Sequence, residues 1–101
     1  MKHRIEIPEM PAPNKGTLVE VGGREIALFN VKGTLFAIDD ECPHAGWKLS
    51  EGELSGSVVT CLLHGAEFDV RNGKSVGGLT CWDVQCYPLE EKDGEFFIEI
   101  D

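Results

Sequence analysis

The sequence lacks any apolar run long enough to cross a bilayer, and one of its longest, 58–63, is interrupted by Thr60. Residues 1–6 contain no apolar stretch of the kind that forms the core of a secretory signal. Basic residues are scarce, with 9 against 18 acidic residues and a net charge of −9. This balance argues against nucleic acid, whose phosphates require clustered Lys and Arg. We therefore expect a cytoplasmic protein that binds neither a membrane nor nucleic acid.

The acidic composition has two readings. It favours a partner with a basic docking face, which would associate quickly and in a salt-dependent way. A surface whose charge only keeps the protein well solvated explains the same composition.

Amphipathic helices are also missing, because no segment of ordinary helix length carries apolar residues at helical spacing. Twelve glycines and five prolines indicate many turns between short strands instead. Gly22-Gly23, Lys32-Gly33, Asn72-Gly73 and Asp93-Gly94 are signals for tight hairpin turns. The sequence predicts an all-β chain, with strands near residue 5 and over 17–21, 24–31, 34–38, 57–62, 67–70, 85–91 and 95–100. We expect 49–54 to be a turn, and Gly77-Gly78 to mark a flexible loop.

Two short segments carry the residues that can bind a metal, Cys42-Pro43-His44 and Cys61-Leu62-Leu63-His64. Each segment supplies one cysteine and one histidine, both good ligands for a borderline or soft transition metal. Structural zinc sites usually draw two thiolates from one knuckle, so two mixed loops fit zinc less well. They suit a two-iron cluster in which the cysteines hold one iron and the histidines hold the other.

The residues around these ligands resemble the Rieske-type ferredoxin family: Cys42-Pro43-His44-Ala45-Gly46-Trp47, Leu49-Ser50-Glu51-Gly52 and Cys61-Leu62-Leu63-His64-Gly65. The resemblance extends through Phe68-Asp69 and Asn72-Gly73, and covers most of the chain. It implies a Rieske [2Fe–2S] cluster whose inner iron is bound by Cys42 and Cys61, and whose outer iron, near solvent, is bound by His44 and His64. Electrons would then leave through the imidazole edges, so that partners dock at the tip where the two loops meet.

The predicted architecture is a Rieske-type small antiparallel β-sandwich with an inserted cluster-binding lobe. With 101 residues the chain is long enough for one domain and too short for two. We place the lobe at about 40–80, and a base formed by 1–39 and 81–101.

The same resemblance indicates a low reduction potential. High-potential Rieske proteins of respiratory chains carry a disulfide at the positions of Trp47 and Leu63, and hydroxyl donors to the cluster sulfurs at the positions of Ala66 and Phe68. Without such donors the reduced, more negative state is less stabilised, and we predict about −150 to −100 mV. Nearby acidic residues act in the same direction: Asp39, Asp40, Glu41, Glu51 and Glu67.

A low potential suits a carrier between a flavin reductase and an oxygenase. The low-potential members of the family look like the ferredoxin components of bacterial aromatic-ring dioxygenases and related monooxygenases. We predict a one-electron carrier whose partners are a flavin-dependent NAD(P)H ferredoxin reductase and a terminal oxygenase. Two alternatives stay open: a cluster-bearing small subunit of a reductase such as nitrite reductase, and a zinc-stabilised interaction module.

The chain is not expected to be an enzyme on its own. A mononuclear iron site needs two histidines and a carboxylate, and the cluster leaves only His3 of the three histidines. No Ser-His-Asp set and no phosphate-binding glycine loop is visible.

Four other residues carry structural expectations. Trp47 is expected to fill the small core of the lobe, although its position would also let it shield the cluster from water. Trp82 is expected to pack between lobe and base. Cys81 and Cys86 are expected to be partly buried thiols without an assigned function.

Overall fold

The computed structural model describes residues 2–7, 10–42, 47–62, 65–77 and 82–100. Within these ranges the regular structure is almost entirely β, with one 3-10 turn at Leu49–Glu51. The strands are β1 (Lys2–Ile5), β2 (Gly16–Val21), β3 (Arg24–Val31), β4 (Thr34–Asp39), β5 (Glu53–Ser55), β6 (Val58–Thr60), β7 (Glu67–Asp69), β8 (Ser75–Gly77), β9 (Cys86–Tyr87), β10 (Leu89–Lys92) and β11 (Glu95–Glu99).

The strands form three sheets, and every described pairing is antiparallel. The terminal sheet has the order β1-β11-β10, the central sheet β2-β3-β4-β9, and the ligand-loop sheet β5-β6-β7-β8. The prediction of an antiparallel all-β fold is confirmed.

The central sheet is buried on both faces. Ile26, Ala27, Leu28 and Phe29 of β3 are all fully buried, although successive side chains of a strand point to opposite faces. Ile26 and Leu28 belong to one core, shared with the terminal sheet. Ala27 and Phe29 belong to a second core, shared with the ligand-loop sheet. The central sheet is therefore the middle layer between two cores.

The hairpins connecting β2 to β3, β3 to β4 and β10 to β11 lie where the turn signals predicted them. Gly22 and Gly23 between β2 and β3 have φ values of +57° and +81°, the left-handed conformation of a two-residue hairpin turn. Glycine adopts this conformation without a steric cost, so the Gly-Gly pair sets the register of the β2–β3 hairpin.

Three segments differ from the prediction. Gly77 was expected to mark a flexible loop, but it ends β8, which pairs with β7; Gly78 lies outside the described residues. Residues 85–91 do not form one strand, because Pro88 has no N–H to donate to a ladder. The Pro88 carbonyl accepts the N–H of Glu99. The strand that precedes Pro88, β9, pairs with β4, and the strand that follows it, β10, pairs with β11. Residues 49–54 are a turn only in their first half, since the second half begins β5, which pairs with β6.

In the part of the chain that the structure describes, no helix has the length and apolar character needed to span a membrane.

Candidate metal centre

The first candidate loop follows β4 after two residues, Asp40 and Glu41, and main-chain hydrogen bonds close it. The N–H of Cys42 donates to the carbonyl of Trp47 over 2.8 Å. Glu41 and Lys48 form an isolated antiparallel bridge just outside this pair. Residues 42 and 47 are thus held together as the two ends of a tight loop, whose residues 43–46, including His44, lie outside the described residues.

The second candidate loop starts directly after β6 and is closed in a similar way. The N–H of Cys61 donates to the carbonyl of Ala66 over 2.8 Å, and the N–H of Gly65 donates to the carbonyl of Cys61 over 2.9 Å. Gly65 has a φ of +71°, which lets the chain reverse over a few residues. His64 lies outside the described residues.

Both loops bring their cysteines into the same buried core. Cys42 is 0% exposed and Cys61 is 1% exposed, although 18 residues separate them in the chain. The other buried residues of this core are apolar: Ala27, Phe29, Ile38, Leu49, Leu54, Val59, Ala66, Phe68, Val70 and Val84. The structure therefore brings together two of the four predicted ligands. Among the described residues, which include neither predicted histidine ligand, no group of three or more His, Cys, Asp or Glu could hold a metal ion.

The chemistry of this donor set fits an iron–sulfur cluster. Two buried thiols in an apolar core are poor places for uncompensated negative charge, so a bound cation would stabilise their thiolate forms. The two cysteines come from two separately closed loops, as two mixed Cys/His loops require, and not from one knuckle. Cys61 and Cys86 are thiols and form no disulfide.

The positions that carry hydroxyl donors in high-potential relatives are fully buried here. Ala66 and Phe68 are each 0% exposed and belong to the same core as both cysteines. Neither side chain can donate a hydrogen bond to a sulfur. This surrounding is consistent with a low potential, which stays a prediction.

The two tryptophans are not where the sequence placed them. Trp47 is 41% exposed at the end of the first loop, and does not fill the core of the lobe. Trp82 is 59% exposed and does not pack between lobe and base. Leu62, directly after Cys61, is 57% exposed. The order of residues could have indicated this exposure, because 42–48 and 82–85 show no alternation of apolar and polar residues that would turn one side chain inward.

The acidic residues near the first loop have different surroundings. Asp40 is buried, Asp39 is half-buried, and Glu41 and Glu51 are exposed. The Tyr87 hydroxyl donates to Asp39, and Arg24 Nη1 donates to the same hydroxyl over 3.1 Å. Burial raises the pKa of Tyr87, and its hydrogen bond to Asp39 raises that pKa further. Sequence reasoning did not find this network, because its members come from β3, β4 and β9.

The cysteines outside the loops contribute no described metal site. Cys86 is a half-buried thiol on β9, opposite Ile38, as expected. Cys81 lies outside the described residues.

The family model described as the Rieske [2Fe-2S] domain matches residues 4–88. The chain is 36% identical over 95 residues to the biphenyl dioxygenase ferredoxin subunit of Pseudomonas sp. strain KKS102, covering 93% of this chain and 86% of that protein. The fold is similar to the ferredoxin of carbazole 1,9a-dioxygenase from Nocardioides aromaticivorans IC177, with a TM-score of 0.85, 27% identity, and coverage of 96% and 95%. It is also similar to a chain of a complex of reduced oxygenase and oxidized ferredoxin in carbazole 1,9a-dioxygenase, with a TM-score of 0.80, 30% identity, and coverage of 87% and 82%.

The fold and the paired cysteine loops, taken with this match, define an iron–sulfur protein. The chain belongs to the Rieske [2Fe–2S] domain family. It carries a Rieske-type [2Fe–2S] cluster and acts as an electron carrier, not as an enzyme on its own. The predictions of family, fold class, cofactor and electron-carrier function are confirmed, and neither the zinc module nor the reductase subunit is favoured.

Proposed function

We propose that this protein carries single electrons from a flavin-dependent NAD(P)H ferredoxin reductase to the terminal oxygenase of an aromatic-ring dioxygenase system. The support is its similarity, over nearly the whole of both chains, to ferredoxins named as components of biphenyl and carbazole dioxygenases. One similar chain comes from a complex of an oxygenase with its ferredoxin, which supports an oxygenase as the electron acceptor. The reductase follows from the need for a donor of single electrons.

We propose that Cys42 and Cys61 bind one iron, and that His44 and His64 bind the other. The observation that carries this assignment is the burial of both cysteines in one core, from two separately closed loops. When bound, the cluster accepts one electron and gives it up again. Two thiolates offset the charge of the oxidised cluster to zero, and neutral imidazoles add none, so this ligand set suits a higher potential than four thiolates would.

The surroundings of the two cysteines support this role. The apolar core around Cys42 and Cys61 excludes water on the interior side, and leaves the loop tips as the route for electrons. We propose that residues 40–80 form the cluster-binding lobe on a base of 1–39 and 81–101. The support is that the ligand-loop sheet lies wholly between β4 and β9 in sequence, and that these two strands pair with each other.

We propose that both partners dock at the end of the lobe that carries the two loops. Trp47 at the end of the first loop and Leu62 within the second are exposed apolar side chains, which a partner docked there would bury. The net charge of −9 favours partners whose docking faces are basic. We propose the cytoplasm as the location, because a reducing compartment keeps the ligand cysteines reduced and available to bind iron.

The test is to purify the protein and measure iron, acid-labile sulfide and zinc. We expect about two irons and two sulfides per chain, and a mixed-ligand electron-spin signal after reduction. The reduced protein should then pass its electron to the terminal oxygenase of an aromatic-ring system, and be reduced again by a flavin reductase and NAD(P)H. A colourless protein with stoichiometric zinc would refute the cluster assignment. An intact cluster that no such reductase reduces would refute the assigned partners.

A further inference from the structure

The two ligand loops are closed differently at the points where they join the rest of the protein. In the second loop, the described hydrogen bonds at its ends join main-chain atoms of Cys61, Gly65 and Ala66. In the first loop, a buried side chain takes part as well. That side chain belongs to Asp40, which is 1% exposed and lies two residues before Cys42.

Asp40 accepts two hydrogen bonds from the segment that directly follows the first loop. Its carbonyl oxygen accepts the N–H of Leu49 over 2.6 Å, and its carboxyl Oδ1 accepts the N–H of Ser50 over 2.8 Å. These are the first two amides of the 3-10 turn, which have no partner inside a helix. The cap residue of that turn, Lys48, makes no side-chain cap bond. Asp40 therefore supplies from across the loop the cap that a local residue usually provides.

Both sides of this contact are attached to rigid structure. The N–H of Asp40 donates to the carbonyl of Glu25 on β3 over 3.1 Å. On the other side, Ser50 packs so closely on the start of β2 that a Cβ added to Gly16 would lie 3.0 Å from the Cα of Ser50. The same added Cβ would lie 2.7 Å from the ring of Phe29. Asp40 thus joins β3 to the segment that packs on β2, and its hydrogen bonds act with the Cys42–Trp47 bond and the Glu41–Lys48 bridge to hold the two sides of the loop together.

We propose that Asp40 is a positioning residue for the cluster, which acts by holding the ends of the first ligand loop together and so fixes the place of Cys42. This inference rests on the proposed ligand role of Cys42. The described main-chain contacts that join the two sides of this loop include the Cys42–Trp47 bond and the Glu41–Lys48 bridge, and the two bonds of Asp40 keep the flanking segments from separating. Without its carboxyl group, the buried amide of Ser50 loses its acceptor, which favours opening of the loop.

The experiment compares Asp40→Ala with Asp40→Asn in the cluster-loaded protein. Asn keeps an Oδ1 acceptor for Ser50, so it should preserve the contact, whereas Ala removes it. The readouts are the rate at which an iron chelator bleaches the visible absorbance, and the line shape of the electron-spin signal of the reduced protein. We expect Asp40→Ala to lose its cluster about 10- to 100-fold faster and to show a broadened signal. Asp40→Asn should stay within about threefold of the wild type and keep the wild-type signal.

Asp69→Ala is the matched control. Asp69 is also a buried aspartate, and its Oδ1 also accepts a main-chain amide in a nearby turn, that of Arg71 over 2.9 Å. That turn contains no proposed ligand. Compared at equal distance below its unfolding midpoint, Asp69→Ala should release the cluster much more slowly than Asp40→Ala and show no broadened signal.

Three outcomes would overturn the proposal. One is a wild-type release rate and signal in Asp40→Ala, and another is equal acceleration by Asp69→Ala, which would indicate general destabilisation. The third is a defect in Asp40→Asn as large as that in Asp40→Ala, which would indicate that charge matters and not the contact. Should Asp40→Ala fail to fold, hydrogen exchange of the wild-type protein decides, since the amides of Leu49 and Ser50 must then be strongly protected. A wild-type protein without any cluster would instead refute the proposed ligand set.

Discussion

The hydroxyl of Tyr87 donates a hydrogen bond of 2.5 Å to Oδ1 of Asp39, joining the short return strand β9 to the end of β4. Arg24 on β3 donates to the same hydroxyl oxygen. The three strands are thereby tied together three residues before Cys42, where the chain leaves the central sheet for the first ligand loop. These hydrogen bonds attach the residue at which the chain enters the first ligand loop, Asp39, to the neighbouring strands of the central sheet.

Replacing Tyr87 by phenylalanine should lower the free energy of unfolding by about 1 to 2 kcal/mol, because a hydrogen bond to a charged group is lost from a largely buried place.

The folded-state pKa of Tyr87 is raised, first by burial and then by Asp39, so the protonated phenol is the form that stabilises the fold. Its contribution is complete below the ordinary tyrosine pKa of about 10 and is lost as the pH rises through the higher folded value. Unfolding midpoints measured from about pH 8 to pH 12 should fall less steeply for Tyr87→Phe than for the wild type. Parallel curves would contradict this assignment. Tyr87 is the only tyrosine, so its ionisation can be followed directly by ultraviolet difference spectra.

Arg71 and Asp69 form the second titratable contact, at the turn between β7 and β8. Arg71 donates to both carboxyl oxygens of Asp69, and this hydrogen bonding is the main reason that the pKa of Asp69 is lowered. A lowered pKa means that the stabilisation is present above the ordinary aspartate value of 3.8 and is lost as the pH falls through the folded value. Arg71→Gln should therefore have a lower unfolding midpoint than the wild type near neutral pH, and the difference should shrink only as the pH falls below about 4. A constant difference would mean that the contact does not depend on the ionised carboxylate.

Phe68→Tyr should raise the reduction potential. Phe68 is fully buried in the core that contains both cysteines, and a hydroxyl there can donate to a cluster sulfur and stabilise the reduced state. One such hydrogen bond, at about 1 to 1.5 kcal/mol, corresponds to about 40 to 65 mV for one electron. A redox titration followed by visible absorbance measures this shift.

The control for this variant is Phe36→Tyr, which adds a hydroxyl on β4 to a partly buried ring packed against the same core. Its potential should stay at the wild-type value. An unchanged potential in Phe68→Tyr would show that the ring at this position does not face the sulfurs.

Much of the fold was readable from local patterns, and the errors have a common cause. The hairpins around Gly22-Gly23 and Asp93-Gly94 were predicted, because turn residues and alternation act over a few neighbours. The partner of β9 was not, since pairing Ala37 with Tyr87 depends on contacts across fifty residues of chain. The prediction treated 85–91 as one strand for the same reason, although Pro88 offered a local signal for the break.

In the site, the motif residues could be predicted from the sequence, but the contacts around them could not. Cys42 and Cys61 were predicted as ligands from their motif. The structure buries both in one core, and their ligand role stays a prediction. The role of Asp40 was not visible in the sequence, because its acceptor atoms serve amides nine and ten residues away. The exposure of Trp82 was missed because a large aromatic residue is assigned to a core by default.

His64→Cys tests the charge argument for the ligand set. A third thiolate adds a negative charge to the site and favours the oxidised state, so the potential should fall by at least about 100 mV, toward the roughly −400 mV of all-cysteine clusters. His3→Cys is the control, because His3 lies on β1 in the terminal sheet and should leave the potential unchanged. The potential is measured by titration with dye mediators on protein whose iron and sulfide content is intact. A potential that does not change in a loaded His64→Cys protein would refute His64 as a ligand.

Leu62 and Trp47 offer a direct test of where partners dock. Both are exposed apolar side chains next to the ligand loops, and a partner that covers the loops would remove them from water. Leu62→Ala and Trp47→Ala should each lower the second-order rate constant for electron transfer to the oxygenase, by about tenfold for Trp47, with no change in reduction potential. Stopped-flow mixing of the reduced protein with oxidised oxygenase measures this rate constant. Leu18→Ala is the matched control, because Leu18 is also an exposed leucine but lies on β2 of the central sheet. If Leu18→Ala slowed the transfer as much as Leu62→Ala does, docking would involve the base of the protein, and the loops would not be its centre.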